Sequence, residues 1–241
     1  CAVLGAAALH AGYGWLSMRD ERPGAAATPA VEIKLVVVNI AFFNADASGA
    51  AAWILSEDPD VAVVLETNAA HVAKLTPLSV RAPFVANVAS DHDAGGLTVY
   101  AKAPIEDVVV FRPGDSLPQV SASIKFEGAP FRLYAVHAMP PLNASCAAVN
   151  DAAILEIGAR VAADVEVGNA VVVAGDLNAA PWSPRLLALE TTAGLVHGRR
   201  RCGFVLRRVL RRGGGRGRGD GIAAGRRRGI DLDGLPRVGH Q

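Results

Sequence analysis

Val171-Val172-Val173-Ala174-Gly175-Asp176-Leu177-Asn178-Ala179-Ala180-Pro181-Trp182-Ser183 runs four apolar residues into a glycine. It then sets an acid and an amide two positions apart, ahead of a Pro-Trp-Ser turn. An unbroken apolar run of this length predicts a buried strand. Gly-Asp-x-Asn at its end delivers two oxygen-bearing side chains to the sheet rim. In extended chain, residues i and i+2 point the same way, so Asp176 and Asn178 are expected to face one site. The same residues also spell an Asx turn that merely closes a strand. The rest of the chain has to decide between the two.

Downstream, Ser183-Pro184 has the chemistry of an N-cap followed by the first helical position. Upstream, Ser145 is suited to cap a long helix running through Val165. Glu32 to Ile40 (EIKLVVVNI) reads as a buried strand whose apolar run stops at Asn39. Ala47 to Leu55 has helical spacing, with Ala50, Trp53 and Ile54 on one face, and Asp58-Pro59-Asp60 breaks it. Val61 to Leu65 predicts a second strand ending at Glu66, and Ala69 to Leu75 a short helix before Pro77. Leu97 to Ala101 and Glu106 to Phe111 are expected strands separated by Ala103-Pro104. Gln119 to Phe126 alternates polar and apolar, and the turn at 127–130 joins it to Phe131–His137 as a hairpin.

Asn39, Glu66, His137 and the Asp176/Asn178 pair therefore all stand at strand ends. Each has an ordinary reading: a turn former, a solvated strand end, a structural histidine, an Asx turn. Their recurrence at one kind of position points instead to a shared site. A carboxylate beside an amide suits hydrated phosphate chemistry, the acid holding or activating a water and the amide orienting it or gripping phosphate.

The chain has 241 residues, of which 51% are hydrophobic, enough for one large α/β domain. Its formal net charge of +1 conceals an asymmetry. Residues 1–198 carry 11 Lys+Arg against 20 Asp+Glu, whereas residues 199–241 carry 13 Arg against 3 Asp. Cys1, Cys146 and Cys202 are far apart with no CxxC spacing, so neither a zinc site nor a disulfide framework is suggested. Residues 1–30 open with an apolar stretch, CAVLGAAALHAGYGWLSM, followed by a charged and Gly/Ala/Pro-rich spacer. They suggest the remnant of a membrane anchor and its linker, although an Ala-rich surface helix has the same composition. Residues 31–198 form the expected domain. The Arg/Gly-rich stretch 199–241 has no sustained apolar period and is expected to be disordered or foreign to the fold. An out-of-frame reading would produce such a stretch; a basic arm for nucleic acid is the functional alternative.

VVVNI at Val36–Ile40, DPDVAVVLET at Asp58–Thr67, GGLTVYAKAPI at Gly95–Ile105, LYAVHAMPP at Leu133–Pro141 and VVVAGDLNAAPWS come in one order and at compatible spacing. Together they resemble the endonuclease/exonuclease/phosphatase superfamily, the DNase-I-like proteins, and the apolar N-terminus resembles its bacterial membrane-anchored branch. The resemblance implies a four-layer α/β/β/α sandwich with the site at one edge, incomplete here at the C-terminus. It implies a Mg²⁺-dependent phosphoesterase, with Mn²⁺ as the alternative ion. Glu66 would be the metal carboxylate, with Asn39 holding the metal region or phosphate. Asp176 would orient or deprotonate the attacking water, Asn178 would steady phosphate, and His137 would contact the scissile phosphate or act as an acid. The substrate would be a phosphate ester of a nucleic acid or phospholipid head group, and no protein partner is implied. A membrane-attached domain outside the cytoplasm is the expected location, with the cytoplasm as the alternative.

One departure bears on activity. The family's last strand ends in Asp-His, and no such pair follows residue 196. Ser90-Asp91-His92 spells it in mid-chain, where the role is not transferred, and Asp231 and Asp233 are loose substitutes. Phosphodiesterase or nuclease, phosphomonoester or lipid-head-group phosphatase, and a non-catalytic remnant all stay open on sequence alone.

Overall fold

The computed structural model describes residues 32–126, 128–180, 182–198, 204–208 and 230–231. The N-terminal apolar segment lies outside them. Among the described residues no helix is long and apolar enough to cross a membrane.

Strands β1 (Glu32–Ile33), β2 (Leu35–Asn39) and β3 (Val61–Leu65) come first, with helix α1 (Ser48–Glu57) between β2 and β3. Helix α2 (Ala69–Leu75), β4 (Phe84–Val88) and β5 (Leu97–Ala101) follow. Then come β6 (Ile105–Phe111), β7 (Gln119–Ile124), β8 (Phe131–His137), the 23-residue helix α3 (Ala144–Glu166) and β9 (Val171–Asp176). Helix α4 (Pro184–Ala193), β10 (Val196–Gly198), β11 (Phe204–Arg208) and β12 (Ile230–Asp231) complete the described chain.

One sheet has the order β2-β3-β5-β4 and the other β10-β11-β9-β8-β7-β6, while β1 pairs with β12. In β3 every residue is buried because alternate side chains serve different layers. Val61, Val63 and Leu65 meet Leu133, Ala135, Val172 and Ala174 of the other sheet. Ala62 and Val64 meet Ala51 and Ile54 of α1 and Leu75 of α2. The second sheet behaves likewise: Val171 and Val173 turn outward against Ile154, Ile157 and Val161 of α3 and Leu186 and Leu189 of α4. The result is the expected helix/sheet/sheet/helix stack of four layers.

Local signals set the ends of the elements. Asp58 takes the left-handed conformation (φ 45°) that stops α1 just before Pro59. The Ser183 hydroxyl accepts from Leu186 N at 3.2 Å, capping α4 as its sequence predicts. For α3 the cap is Asn143, accepting from Cys146 N at 2.8 Å, rather than Ser145. An Asn side chain two residues earlier competes for the same free N–H groups and wins.

The basic stretch departs from expectation. Phe204–Arg208 is a strand wedged between β9 and β10 and antiparallel to both, and Ile230–Asp231 pairs with Glu32–Ile33. The edge of β9 needs a backbone partner, and an apolar FVL run inside an arginine-rich stretch provides one. The expectation of disorder elsewhere in 199–241, and Asp233 with it, falls outside the described residues.

Strands β8 and β9 are parallel, with Val136 opposite Gly175 and His137 opposite Asp176. Gly175 has φ 151°, and an added Cβ would run into the Val136 carbonyl oxygen. We expect Gly175→Ala to cost about 3 kcal/mol or more of stability, since backbone rather than a flexible side chain must yield. A denaturant midpoint close to that of the parent would refute this.

Candidate functional site

The carboxyl ends of β2, β3, β8 and β9 lie together, because β2 and β3 are parallel, β8 and β9 are parallel, and β9 packs across from β2 and β3. All five polar positions singled out in the sequence sit at this edge. Asn39 ends β2, and its Nδ2 donates to Glu66 Oε1 at 2.8 Å. Glu66 follows β3 in the left-handed region (φ 62°), and its Oε2 accepts from Phe42 N at 2.8 Å. A non-glycine residue holds that conformation at a cost of about 1–3 kcal/mol, which the two hydrogen bonds to the carboxylate help offset. Asn39 Oδ1 in turn accepts from Ala41 N at 2.9 Å, fixing the carboxamide so that its nitrogen faces the acid.

The His137 ring, 3% exposed at its side chain, brings Nε2 to 3.8 Å from Glu66 Oε1. Its Nδ1 is buried with no partner among the described residues. Burial pushes the imidazole pKa below the ordinary 6.5, opposed by the carboxylates of Glu66 and Asp176 and by the Ala94 backbone. Burial thus disfavours the imidazolium that an ion pair with Glu66 would require.

Asp176 ends β9. Its Oδ1 accepts from Asn178 N at 2.8 Å, and Asn178 is left-handed (φ 48°) with Nδ2 donating to Ala138 O at 2.8 Å. The Asx turn and the site are thus the same object. Asn178 does not reach this edge by strand alternation, as the sequence suggested, because the strand has already ended. The turn carries it there and ties it to the residue after His137.

Ser90-Asp91-His92 belongs to a loop pressed on the same end of β3. Ser90 N donates to Thr67 O at 3.0 Å, and Asp91 Oδ1 accepts from Ala69 N at 2.9 Å. The carboxylate of Asp91 is thereby engaged with the start of α2. Asp231, the other substitute, stands opposite Glu32 in the short β1–β12 ladder.

Sequence reasoning passed over the supporting groups. Asn68 caps α2 by accepting from His71 N at 2.8 Å, and His71 Nε2 lies 2.6 Å from Asn44 O, anchoring the loop that carries Phe42. Asn150 on α3 donates to Met139 O at 2.8 Å and Leu177 O at 2.9 Å, bridging the loops after His137 and Asp176. The Asn68 cap was readable from its place before an apolar turn; a buried polar residue inside a long helix left no signal.

The described residues contain no cluster of three His, Cys, Asp or Glu side chains able to cage a metal. Mg²⁺ does not require one: it keeps several waters and takes one or two carboxylates. Glu66 fits that demand. Its side chain is 20% exposed, and each oxygen accepts one hydrogen bond in the structure, leaving a lone pair apiece.

Acids, amides and an imidazole thus share one strand-end edge of a four-layer sandwich. The sequence model of the Endonuclease/Exonuclease/phosphatase family matches residues 36–231, and the chain belongs to that family. The match extends well into the basic stretch. Sphingomyelinase C from Streptomyces griseocarneus has a similar structure, with TM-score 0.55 and 20% identity over 70% of this chain and 71% of that one. A β-hairpin deletion mutant of Staphylococcus aureus beta toxin gives 0.54 and 17% over 76% of each chain. D. rerio TDP2 complexed with single strand DNA product gives 0.55 and 14%, over 69% of this chain and 68% of that one. A search of the curated proteins by sequence found no match. Family and fold together support phosphoester hydrolysis as the class of chemistry.

The His137 surroundings yield a pH prediction. With its folded-state pKa below 6.5, the unfolded chain takes up the proton first. Stability is therefore complete above about 6.5 and falls as pH drops through that value toward the folded-state pKa. Glu66→Gln removes a neighbour that raises the pKa, so His137 should titrate lower still in a metal-free NMR titration. An upward move would contradict the electrostatics described.

Proposed function

We propose that the protein is a metal-dependent phosphodiesterase whose reaction takes place at the edge formed by Asn39, Glu66, His137, Asp176 and Asn178. The convergence of Glu66, His137 and Asp176 from both sheets carries this reading. Mg²⁺, or Mn²⁺ in its place, would be held by Glu66 with Asn39 beside it; such an ion offsets developing charge and lowers the pKa of bound water. Asp176 keeps Oδ1 on the Asn178 amide, which leaves Oδ2 to align the attacking water and accept its proton. Asn178 retains one amide hydrogen for a phosphate oxygen, since its other bond goes to Ala138 O. His137, neutral and largely shielded from water, offers Nε2 to a phosphate oxygen beside Glu66, a hydrogen bond strengthened where solvent is excluded.

A phospholipid head group is the alternative substrate to nucleic acid. The acidic balance of residues 1–198, 11 Lys+Arg against 20 Asp+Glu, favours it, because such a body does not concentrate a polyanion. Membrane attachment through residues 1–30 would suit that substrate and place the domain outside the cytoplasm.

Two variants test the assignment. Asp176→Asn should lower metal-dependent hydrolysis by roughly a hundredfold or more with substrate affinity retained, since a water-orienting base acts mainly in the transition state. Glu66→Gln should weaken Mg²⁺ binding in calorimetry without loss of fold. Turnover equal to the parent in the first, or unchanged Mg²⁺ affinity in the second, would remove that residue from the mechanism. Comparing plasmid DNA with phosphatidylcholine vesicles then separates the two substrate classes.

A further inference from the structure

Gln119 opens β7 and is fully buried, an uncommon place for a carboxamide. Its Oε1 accepts from His137 N at 2.6 Å, and its Nε2 donates to His137 O at 2.7 Å and to Leu117 O at 2.8 Å. The regular β7–β8 ladder ends with Val120 opposite Ala135. Continuing that register would set Gln119 opposite Val136 and Pro118 opposite His137, but Pro118 lies before β7 and has no N–H to donate. A primary amide carries the same donor and acceptor as a peptide group, so the Gln119 side chain supplies one more rung where the backbone has gone. Its orientation is fixed by its partners, since the reversed amide would set donor against donor at His137 N and acceptor against acceptor at two carbonyls.

Opposite this rung, Ala138 N donates to Asp176 O at 2.9 Å. The backbone that carries the imidazole is thus gripped from both sides, by β9 and by one side chain.

We propose that Gln119 is a positioning residue for His137: its carboxamide extends the β7–β8 ladder by one rung and so holds the imidazole in register with Glu66 and Asp176. The activity part of this inference rests on the phosphodiesterase reading; the geometric part does not. Asn150 acts on the loops beyond the strand ends, whereas Gln119 binds the backbone of His137 itself.

Gln119→Met keeps the length and removes every hydrogen bond. With bis-p-nitrophenyl phosphate and Mg²⁺, its kcat per folded molecule should fall about ten- to hundredfold with KM little changed, the effect of misplacing a reacting group by a fraction of an ångström to an ångström. Tyr134→Phe, which removes a half-buried hydrogen bond to Asp164 from the same strand, should lower Tm and leave kcat unchanged. Hydrogen exchange reads the position without activity: in Gln119→Met the His137 amide should lose protection while the amides of the Val120–Ala135 rung keep theirs. Should the methionine variant not fold, Gln119→Asn, which keeps the amide on a shorter arm, is measured in the same two ways. Parent-like kcat, or a protected His137 amide, in the variant that folds would overturn the proposal. If the parent itself does not hydrolyse the diester, the phosphodiesterase reading fails, and the exchange data alone decide whether Gln119 holds His137.

Discussion

Val136 O against the Cα of Gly175 is the contact on which the arrangement turns. Parallel strands can run in register only if their backbones approach along the whole ladder, and at this rung the approach leaves no room for a side chain. Because it is met, His137 and Asp176 finish opposite one another, and the turn after Asp176 can hand the Asn178 amide back to Ala138 O. The second parallel pair, β2 and β3, repeats the logic in the facing sheet, with Asn39 opposite Leu65 and Glu66 one step further. Two parallel pairs stacked across a common core send four chain ends to the same side. The polar site is thus a by-product of strand direction, assembled where the apolar runs stop.

The site departs from regular geometry at those ends. Ala41, Glu66 and Asn178 all have positive φ, and none is glycine. Each is held by a hydrogen bond within the cluster, so the strain is shared among the bonds that fix the side chains. The carboxylate of Glu66 and the carboxamides of Asn39 and Asn178 are consequently committed before any ligand arrives, the condition under which oriented dipoles act at little reorganisation cost.

Much of this was legible in the sequence, because apolar runs report burial and their ends report position. Val61–Leu65 was readable as a strand and Val171–Asp176 as a buried one, and Asn39, Glu66, His137 and Asp176 were legible as the residues that interrupt such runs. Phe84–Val88 escaped notice, since an edge strand exposed along most of its length has no continuous apolar signature. Phe204–Arg208 was masked by surrounding arginines, although β9 required a neighbour. The conformation of Asn178 was hidden for a different reason. Periodicity describes side-chain direction only while a strand lasts, and this residue lies two positions beyond the end of one.

The placement of β11 between β9 and β10 imposes an order on assembly. The chain makes β9, passes through α4, lays down β10, and only then returns to fill the gap between them. Until Arg208 has been synthesised, β10 has no partner in the sheet and β9 shows a bare hydrogen-bonding edge. During that interval the nascent chain leaves the edge of a valine-rich strand unpaired, and open edges of this kind pair with other chains.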